Sequence, residues 1–348
     1  MKPEARYYSV FSPAGDVSPH GGRGAIECSL CPRRCCIAEG AFGACGVREN
    51  RGGEMLLPYY GFITALALDP IEKKPLYHFR PGTSILSAGF ALCNLRCPFC
   101  QNWEISQKMD DRGRFFSPEE LIGEAEAGGC AQIAYTYSEP LIHSEFLCNC
   151  MALAHERGIA NVLVSNGCIN EDAAGDVLAL TDAANIDLKC FSEDTYSRVL
   201  GGNLDAVCKF IGKGLKFSVH LELTTLIVPG LNDGLEEIDR CIEFIAGLEA
   251  DAVPIPWHLS AYHPAYKWNA PPTNAARLVE IARRAQKRLN YVYTGNIRGG
   301  LEDTACPGCG ETLVRRRGYL VEKCALVLSA DGTGYTCAHC GERAPFVL

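Results

Sequence analysis

At 348 residues the chain is long enough for one barrel-sized domain with small additions, and 47% hydrophobic with 21% charged residues is the composition of an ordinary globular protein. A formal net charge of −8 argues against a general attraction to nucleic acid or to an anionic membrane. Residues Met1 to Tyr8 carry no basic segment followed by an apolar one, and no apolar run reaches spanning length, so a cytoplasmic protein that does not engage the membrane is expected.

Residues 1 to about 25 bear Gly, Pro and Ser and are expected to be irregular. The 20 cysteines come next into view. A chain this long does not need a disulfide framework, and Cys-x2-Cys pairs suggest metal ligands in a reducing compartment. Eleven fall into three clusters with ligand spacing; Cys36, Cys130, Cys148, Cys150, Cys168, Cys190, Cys208, Cys241 and Cys324 are scattered and read mostly as small core hydrophobes, although Cys168 and Cys190 stand at strand ends. The first cluster is Cys28, Cys31, Cys35 and Cys45, with no room for a helix between its members. Four thiolates close either a tetrahedral Zn²⁺ site or an iron–sulfur cluster, a stapled cap or an electron relay, and Cys36 can stand in for Cys35. Between 54 and 82, Asp69-Pro-Ile-Glu72-Lys73-Lys74-Pro-Leu-Tyr77-His78 is confined by prolines and cannot be a long helix; it reads as an exposed charged loop or as a second wall of a site.

The next stretch organises the chain. Ser84–Ala88 reads as a buried strand, followed at once by Cys93-Asn-Leu-Arg-Cys97-Pro-Phe-Cys100. Three thiolates on one loop hold three irons of a [4Fe–4S] cube and leave the fourth iron open to a substrate or cofactor, whereas an electron carrier wants four protein ligands. The alternative is a zinc loop or three core cysteines. Further strands are expected at Gln132–Thr136, Asn161–Val164, Asn185–Leu188, Ser218–Ile227, His258–Ala261 and Tyr291–Tyr293, with helices between them; Ser117-Pro118-Glu119-Glu120 is an N-cap, a first-turn proline and an acidic first turn. Strand–helix alternation implies a parallel sheet, and about six units fit a partial (β/α)6 TIM-like barrel with its chemistry at the C-terminal strand ends. Those ends carry Tyr137-Ser-Glu139-Pro140, Ser165-Asn166-Gly167-Cys168, Asp187-Leu-Lys189-Cys190, Asn232-Asp233, Tyr262-His263 and Asn296. On an extended strand Asp187 and Lys189 share a face.

Finally, Cys306-Pro-Gly-Cys309-Gly and Cys337-Ala-His-Cys340-Gly are two knuckles around a basic, hairpin-like stretch, which favours a zinc ribbon. Arg315-Arg316-Arg317 there reads as a solvated strand face or as a contact to RNA or an acidic partner. The expected division is an N-terminal Cys-rich segment (1–82), an α/β barrel (83–297) and a C-terminal zinc-ribbon-like domain (298–348).

Cys-x3-Cys-x2-Cys with Phe99 before the last cysteine resembles the radical S-adenosylmethionine (SAM) superfamily. The Cys28 and Cys45 segments, Asp69 to Phe79, Gln101-Asn102-Trp103, Tyr137 to Pro140, Tyr291 to Asn296 and the terminal knuckles together resemble the radical SAM member of the AmmeMemoRadiSam system, a relative of the pyruvate formate-lyase activating enzymes. The resemblance implies one [4Fe–4S] cluster on Cys93, Cys97 and Cys100, and SAM. It puts Glu139 where the SAM amino group is received, with Tyr137 and Ser138 in place of two glycines. It further puts Ser165 and Asn166 beside the methionine moiety, Asp187 and Lys189 at the SAM carboxylate, and His263 near the ribose. The implied chemistry is reductive cleavage of SAM by a one-electron donor of flavodoxin or ferredoxin type, followed by hydrogen abstraction. The substrate is either a partner protein, as for an activating enzyme, or a free small molecule or modified nucleobase; acidity counts against RNA. A metal-binding scaffold or electron carrier without turnover is the non-enzymatic alternative.

Overall fold

The computed structural model describes residues 4–10, 24–109, 112–249, 253–330, 332 and 334–347. Most of the segment expected to be irregular lies outside them; of the remainder, Tyr8–Val10 is a short strand paired antiparallel with Ile26–Cys28. The chain divides into two compact units, Met1–Leu68 with Leu86–Asp182 and Glu193–Val219, and Asp69–Ile85 with Ala183–Ser192 and His220–Leu348.

In the first unit, strands Ser84–Phe90 (from Leu86 onward), Gln132–Thr136 and Ala160–Ser165 pair in parallel, with Leu86 opposite Ile133 and Ala160 opposite Gln132. All five residues of Gln132–Thr136 are buried, as expected of a parallel strand covered on both faces. Helices Pro118–Ala127, Ser144–Glu156, Glu171–Leu178 and Leu204–Lys216 connect and follow them. The expected cap is realised as a capping box: Ser117 Oγ accepts the Glu120 N–H, and the Glu120 carboxylate accepts the Ser117 N–H at 2.7 Å.

The second unit holds four parallel strands, Ala183–Asp187, His220–Ile227, Trp257–Ala261 and Val292–Gly295, with helices Leu235–Glu249 and Ala275–Ala285. Its C-terminal part carries two three-stranded antiparallel sheets around a small core that includes Leu313, Val314, Tyr335 and Phe346. The hairpin expected between the knuckles is Thr312–Arg317 against Leu320–Lys323.

All seven expected strands form, Gln132–Thr136 with the expected bounds and the other six with shifted ends. Ser218 sits at φ 59°, a left-handed conformation no strand accommodates, so that strand begins at His220. Leu188 donates its N–H to Ile186 O, which turns the chain and ends the fourth strand at Asp187; Lys189 therefore lies beyond the strand rather than on its face. A nine-residue strand, Phe62–Pro70, was not expected, because its Ala–Leu run lacks the β-branched enrichment of a strand signal. The proline-confined segment behind it makes only the short 3-10 turn Ile71–Lys73. Among the described residues no helix is long and apolar enough to cross a membrane.

Candidate cofactor site

In the first unit the carbonyls at the end of strand Ser84–Phe90 are held from three directions. Thr64 Oγ1 donates to Gly89 O at 3.0 Å, Ser138 Oγ donates to Phe90 O at 2.6 Å, and His143 Nε2 lies 2.9 Å from Ala91 O. The loop that leaves this anchor turns through Leu92 at φ 64° into Cys93. Cys97 is buried, Cys93 and Cys100 half-buried. Cys93 Sγ accepts the Leu95 N–H at 3.3 Å and stands 3.5 Å from Asn166 Nδ2, while Cys100 Sγ stands 3.1 Å from Ser106 Oγ. Burial drives the Cys93 thiol well above its ordinary pKa, so a thiolate there needs a cation beside it. Three thiols on one anchored loop, with amide donors aimed at sulfur, are a donor set that suits three irons of a cluster.

Glu139 lies behind this loop with no exposed surface. Its Oε1 accepts from Ser165 Oγ at 2.7 Å and from the Leu141 N–H at 3.0 Å, and its Oε2 accepts the Asn166 N–H at 2.8 Å. Asn166 continues the chain of contacts: Nδ2 donates to Asn94 Oδ1 at 2.9 Å, Oδ1 accepts the Cys168 N–H, and Asn94 Nδ2 returns to Cys168 O at 2.8 Å. The structure thus brings Glu139, Ser165 and Asn166 together with the three cysteines.

The Tyr137 position explains how a tyrosine stands where the resembling family has glycine. Tyr137 keeps a left-handed φ of 67°, which costs a tyrosine about 1–2 kcal/mol. Its ring fills the space above Gly89, where a Cβ would come within 2.7 Å of Tyr137 Cδ2.

Asp187, Lys189 and His263 belong to the second unit. Lys189 Nζ pairs with Asp187 Oδ2 at 2.8 Å, and Asn232 Nδ2 holds Lys189 O at 2.7 Å, so the ammonium is positioned by strand end and loop together. His263 is exposed.

The two thiol quartets differ. Cys306, Cys309, Cys337 and Cys340 bring their sulfurs within 4.8 Å of one another, with Cys306–Cys340 at 3.5 Å and Cys309–Cys337 at 3.7 Å. In the N-terminal set, Cys28, Cys31 and Cys45 face the backbone N–H groups of Leu30, Arg33 and Val47, and Cys35 Sγ accepts the Ala44 N–H at 3.4 Å. Burial pushes Cys31 up to about 12 and Cys45 up to about 11. The buried Arg48 guanidinium, held by Glu145 at 3.0 and 2.9 Å, favours the thiolates of Cys28 and Cys45.

Sequence reasoning missed Asn94, Ser106 and Glu222, and placed Asn232 at a strand end without a role. Asn94 had a signal, as a polar residue between two ligands; a lone Ser106 or Glu222 had none. Glu222, wholly buried in the second unit, accepts from the Tyr77 and His78 N–H groups at 3.0 and 2.7 Å and lies 3.0 and 2.7 Å from the Nε2 atoms of His220 and His258. His258 is therefore at the start of its strand, away from the C-terminal end. The segment read as a loop or a site wall is woven into this network, with Asp69 paired to Lys73 and Lys74, each at 2.8 Å. Arg316 is buried over the Tyr77 ring, at 4.1 Å, and donates to Tyr77 O, so the basic triplet is not a solvated row.

A family model described as the Radical SAM superfamily matches residues 90–245. An uncharacterized protein of Methanocaldococcus jannaschii is 38% identical over 329 residues, covering 93% of this chain and 96% of that one. The pyruvate formate-lyase-activating enzyme of Staphylococcus aureus is 26% identical over 192 residues, 51% of this chain and 74% of the enzyme. Among solved structures, Streptococcus suis SuiB aligns with a TM-score of 0.48 at 14% identity over 61% of this chain, which spans about half of SuiB (48%).

Proposed function

Because the chain belongs to the Radical SAM superfamily, we propose that it cleaves SAM reductively and abstracts hydrogen from a partner protein, as an activating-type enzyme of the AmmeMemoRadiSam kind acting in the cytoplasm. The family implies a [4Fe–4S] cluster and SAM. When bound, the cluster supplies the single electron that splits SAM into methionine and a 5′-deoxyadenosyl radical.

The observation that carries this reading is the network in which Asn166 touches Cys93 Sγ, Asn94 and Glu139 at once. In the proposal Cys93, Cys97 and Cys100 hold three irons. Glu139 acts as a positioning residue: by fixing Ser165 and the Asn166 backbone it sets the strand end against which the methionine moiety rests. Asn94 and Asn166 hold the loop in register. Lys189, aimed by Asp187 and Asn232, neutralises the SAM carboxylate, and His263 meets the ribose. Buried surroundings around Cys97 and Glu139 exclude water from the radical. The C-terminal quartet suits a structural Zn²⁺, since tetrahedral coordination at about 2.3 Å puts sulfurs roughly 3.8 Å apart, close to the 3.5 and 3.7 Å observed. The protein-substrate part is supported by similarity to the activating enzyme over half of the chain.

Anaerobically reconstituted protein with dithionite and SAM is expected to release 5′-deoxyadenosine, and Cys97→Ala to abolish it. Equal release from Cys97→Ala would overturn the assignment of the loop. Stimulation by a free small molecule, with no glycyl-radical signal in any partner protein, would overturn the activating role alone.

A further inference from the structure

We propose that Cys28, Cys31, Cys35 and Cys45 hold a second iron–sulfur cluster that feeds electrons to the three-cysteine loop, rather than a structural zinc ion; the relay role rests on the function proposed above.

Sulfur spacing separates the two quartets. Among the described residues, the C-terminal set is the only group whose ligating atoms all fall within 4.8 Å. The N-terminal thiols are mutual electrostatic neighbours, Cys31 sensing Cys28, Cys45 and Cys35, yet they do not contract to zinc spacing. In this they match Cys93, Cys97 and Cys100, which also stand wider. A cube carries its thiolates on outward corners and needs that extra width, whereas one zinc ion draws four sulfurs to roughly 3.8 Å. Each N-terminal sulfur faces a backbone N–H, a donor that favours thiolate charge. The ligand order differs as well: Cys-x2-Cys-x3-Cys on one short loop, against two separate Cys-x2-Cys-Gly knuckles.

Position supplies the role. Gly46, next to Cys45, packs so tightly on Leu92, next to Cys93, that a Cβ there would lie 2.8 Å from Leu92 Cδ1. Arg33 Nε, two residues from Cys31, donates to Asn94 O at 3.3 Å. Cys31, Arg33, Asn94 and Cys168 line one cavity. One residue step on either side of a van der Waals contact puts the two thiol groups on the order of 10–15 Å apart. Electron flow then balances simply. A low-potential one-electron carrier, a reduced flavodoxin or ferredoxin, takes the N-terminal cluster from 2+ to 1+. The cluster returns to 2+ as the electron moves to the loop cluster, and no bond or proton changes in the protein.

The test is metal analysis and EPR of the full chain. Wild type is expected to bind about eight irons and one zinc, and the Cys93→Ala/Cys97→Ala/Cys100→Ala variant to keep about four irons whose reduced EPR signal ignores SAM. Where that variant does not fold, Cys28→Ser/Cys31→Ser is expected to lose about half of the wild-type iron and to keep a SAM-responsive signal. About four irons with two zincs in wild type, or an iron content that Cys28→Ser/Cys31→Ser leaves unchanged, would overturn the second cluster. For the relay, freeze-quench EPR should show that reduced flavodoxin reduces the SAM-responsive cluster at least tenfold more slowly in Cys28→Ser/Cys31→Ser; an equal rate would overturn it. A SAM-insensitive cluster that persists in the triple alanine variant, in a protein whose wild type cleaves no SAM, would uphold the second cluster and refute the SAM chemistry instead.

Discussion

Glu139 and Glu222 are both carboxylates with no exposed surface, one in each unit; each accepts two backbone N–H groups, and their side-chain partners differ. Glu139 follows a strand at its C-terminal end and accepts from a serine hydroxyl and two backbone N–H groups. Glu222 sits near the start of its strand, against two imidazoles and two backbone N–H groups. Burial opposes its ionisation, but the bonds from His220 and His258 prevail and hold it well below the ordinary carboxylate range. In (β/α) architectures the C-terminal strand ends carry chemistry and the N-terminal ends carry stability. Under the proposed function the two glutamates divide along that line: Glu139 positions the cofactor site, and Glu222 ties strands and the Tyr77–His78 segment together.

The largest effect expected from breaking this comparison is at Glu222. Glu222→Ala strands two imidazoles and two N–H groups in the interior and should lower stability by about 3–5 kcal/mol in urea unfolding. SAM affinity of the folded fraction should stay within a factor of two. Glu139→Gln should cost only about 1–2 kcal/mol of stability but weaken SAM binding at least tenfold. If Glu222→Ala proved the variant defective in SAM binding, the division of roles would be wrong.

Next in size is a pH response. Burial lowers His78 to about 3 and His143 to about 4. Unfolded imidazoles take a proton near pH 6.5, so below that value the unfolded chain binds more protons than the folded one. Their stabilisation is complete above about pH 6.5 and should fall by about 2 kcal/mol for each histidine by pH 5. Glu222, with its depressed value, adds a further loss only below about pH 4.3. Unfolding midpoints measured from pH 8 to 4 check this, and a flat profile between pH 6.5 and 5 would contradict it.

The smallest expected effect sharpens the view of the site itself. Gly89→Ala pushes a methyl into the Tyr137 ring and should cost about 1–3 kcal/mol. In the Tyr137→Gly background, where both the ring and the strained φ are gone, the same change should cost at least about 0.5 kcal/mol less. Additive effects would mean that the ring does not rest on Gly89.

Much of this was legible in the chain. Strand Gln132–Thr136 was read to the residue, because a short apolar run between turn residues is a local signal. The Ser117 capping box was equally local. Glu139, Ser165 and Asn166 were named as site residues, but their mutual bonds were not, since Glu139 and Ser165 are 26 residues apart. Phe62–Pro70 went unseen, because alanine and leucine do not distinguish strand from helix.

The sequence by itself determined the thiol spacing, the alternation of strands and helices, and hence the family, because covalent spacing and side-chain periodicity are properties of neighbours along the chain. Tertiary structure alone decided which sulfurs contract to 3.5 and 3.7 Å and which stand wider. It also decided that Asn94 and Asn166 clasp the loop, and that Arg48 and Glu145, 97 residues apart, meet in the interior. Such pairings follow from which buried polar groups must find partners once the strands have packed, and nothing local specifies them.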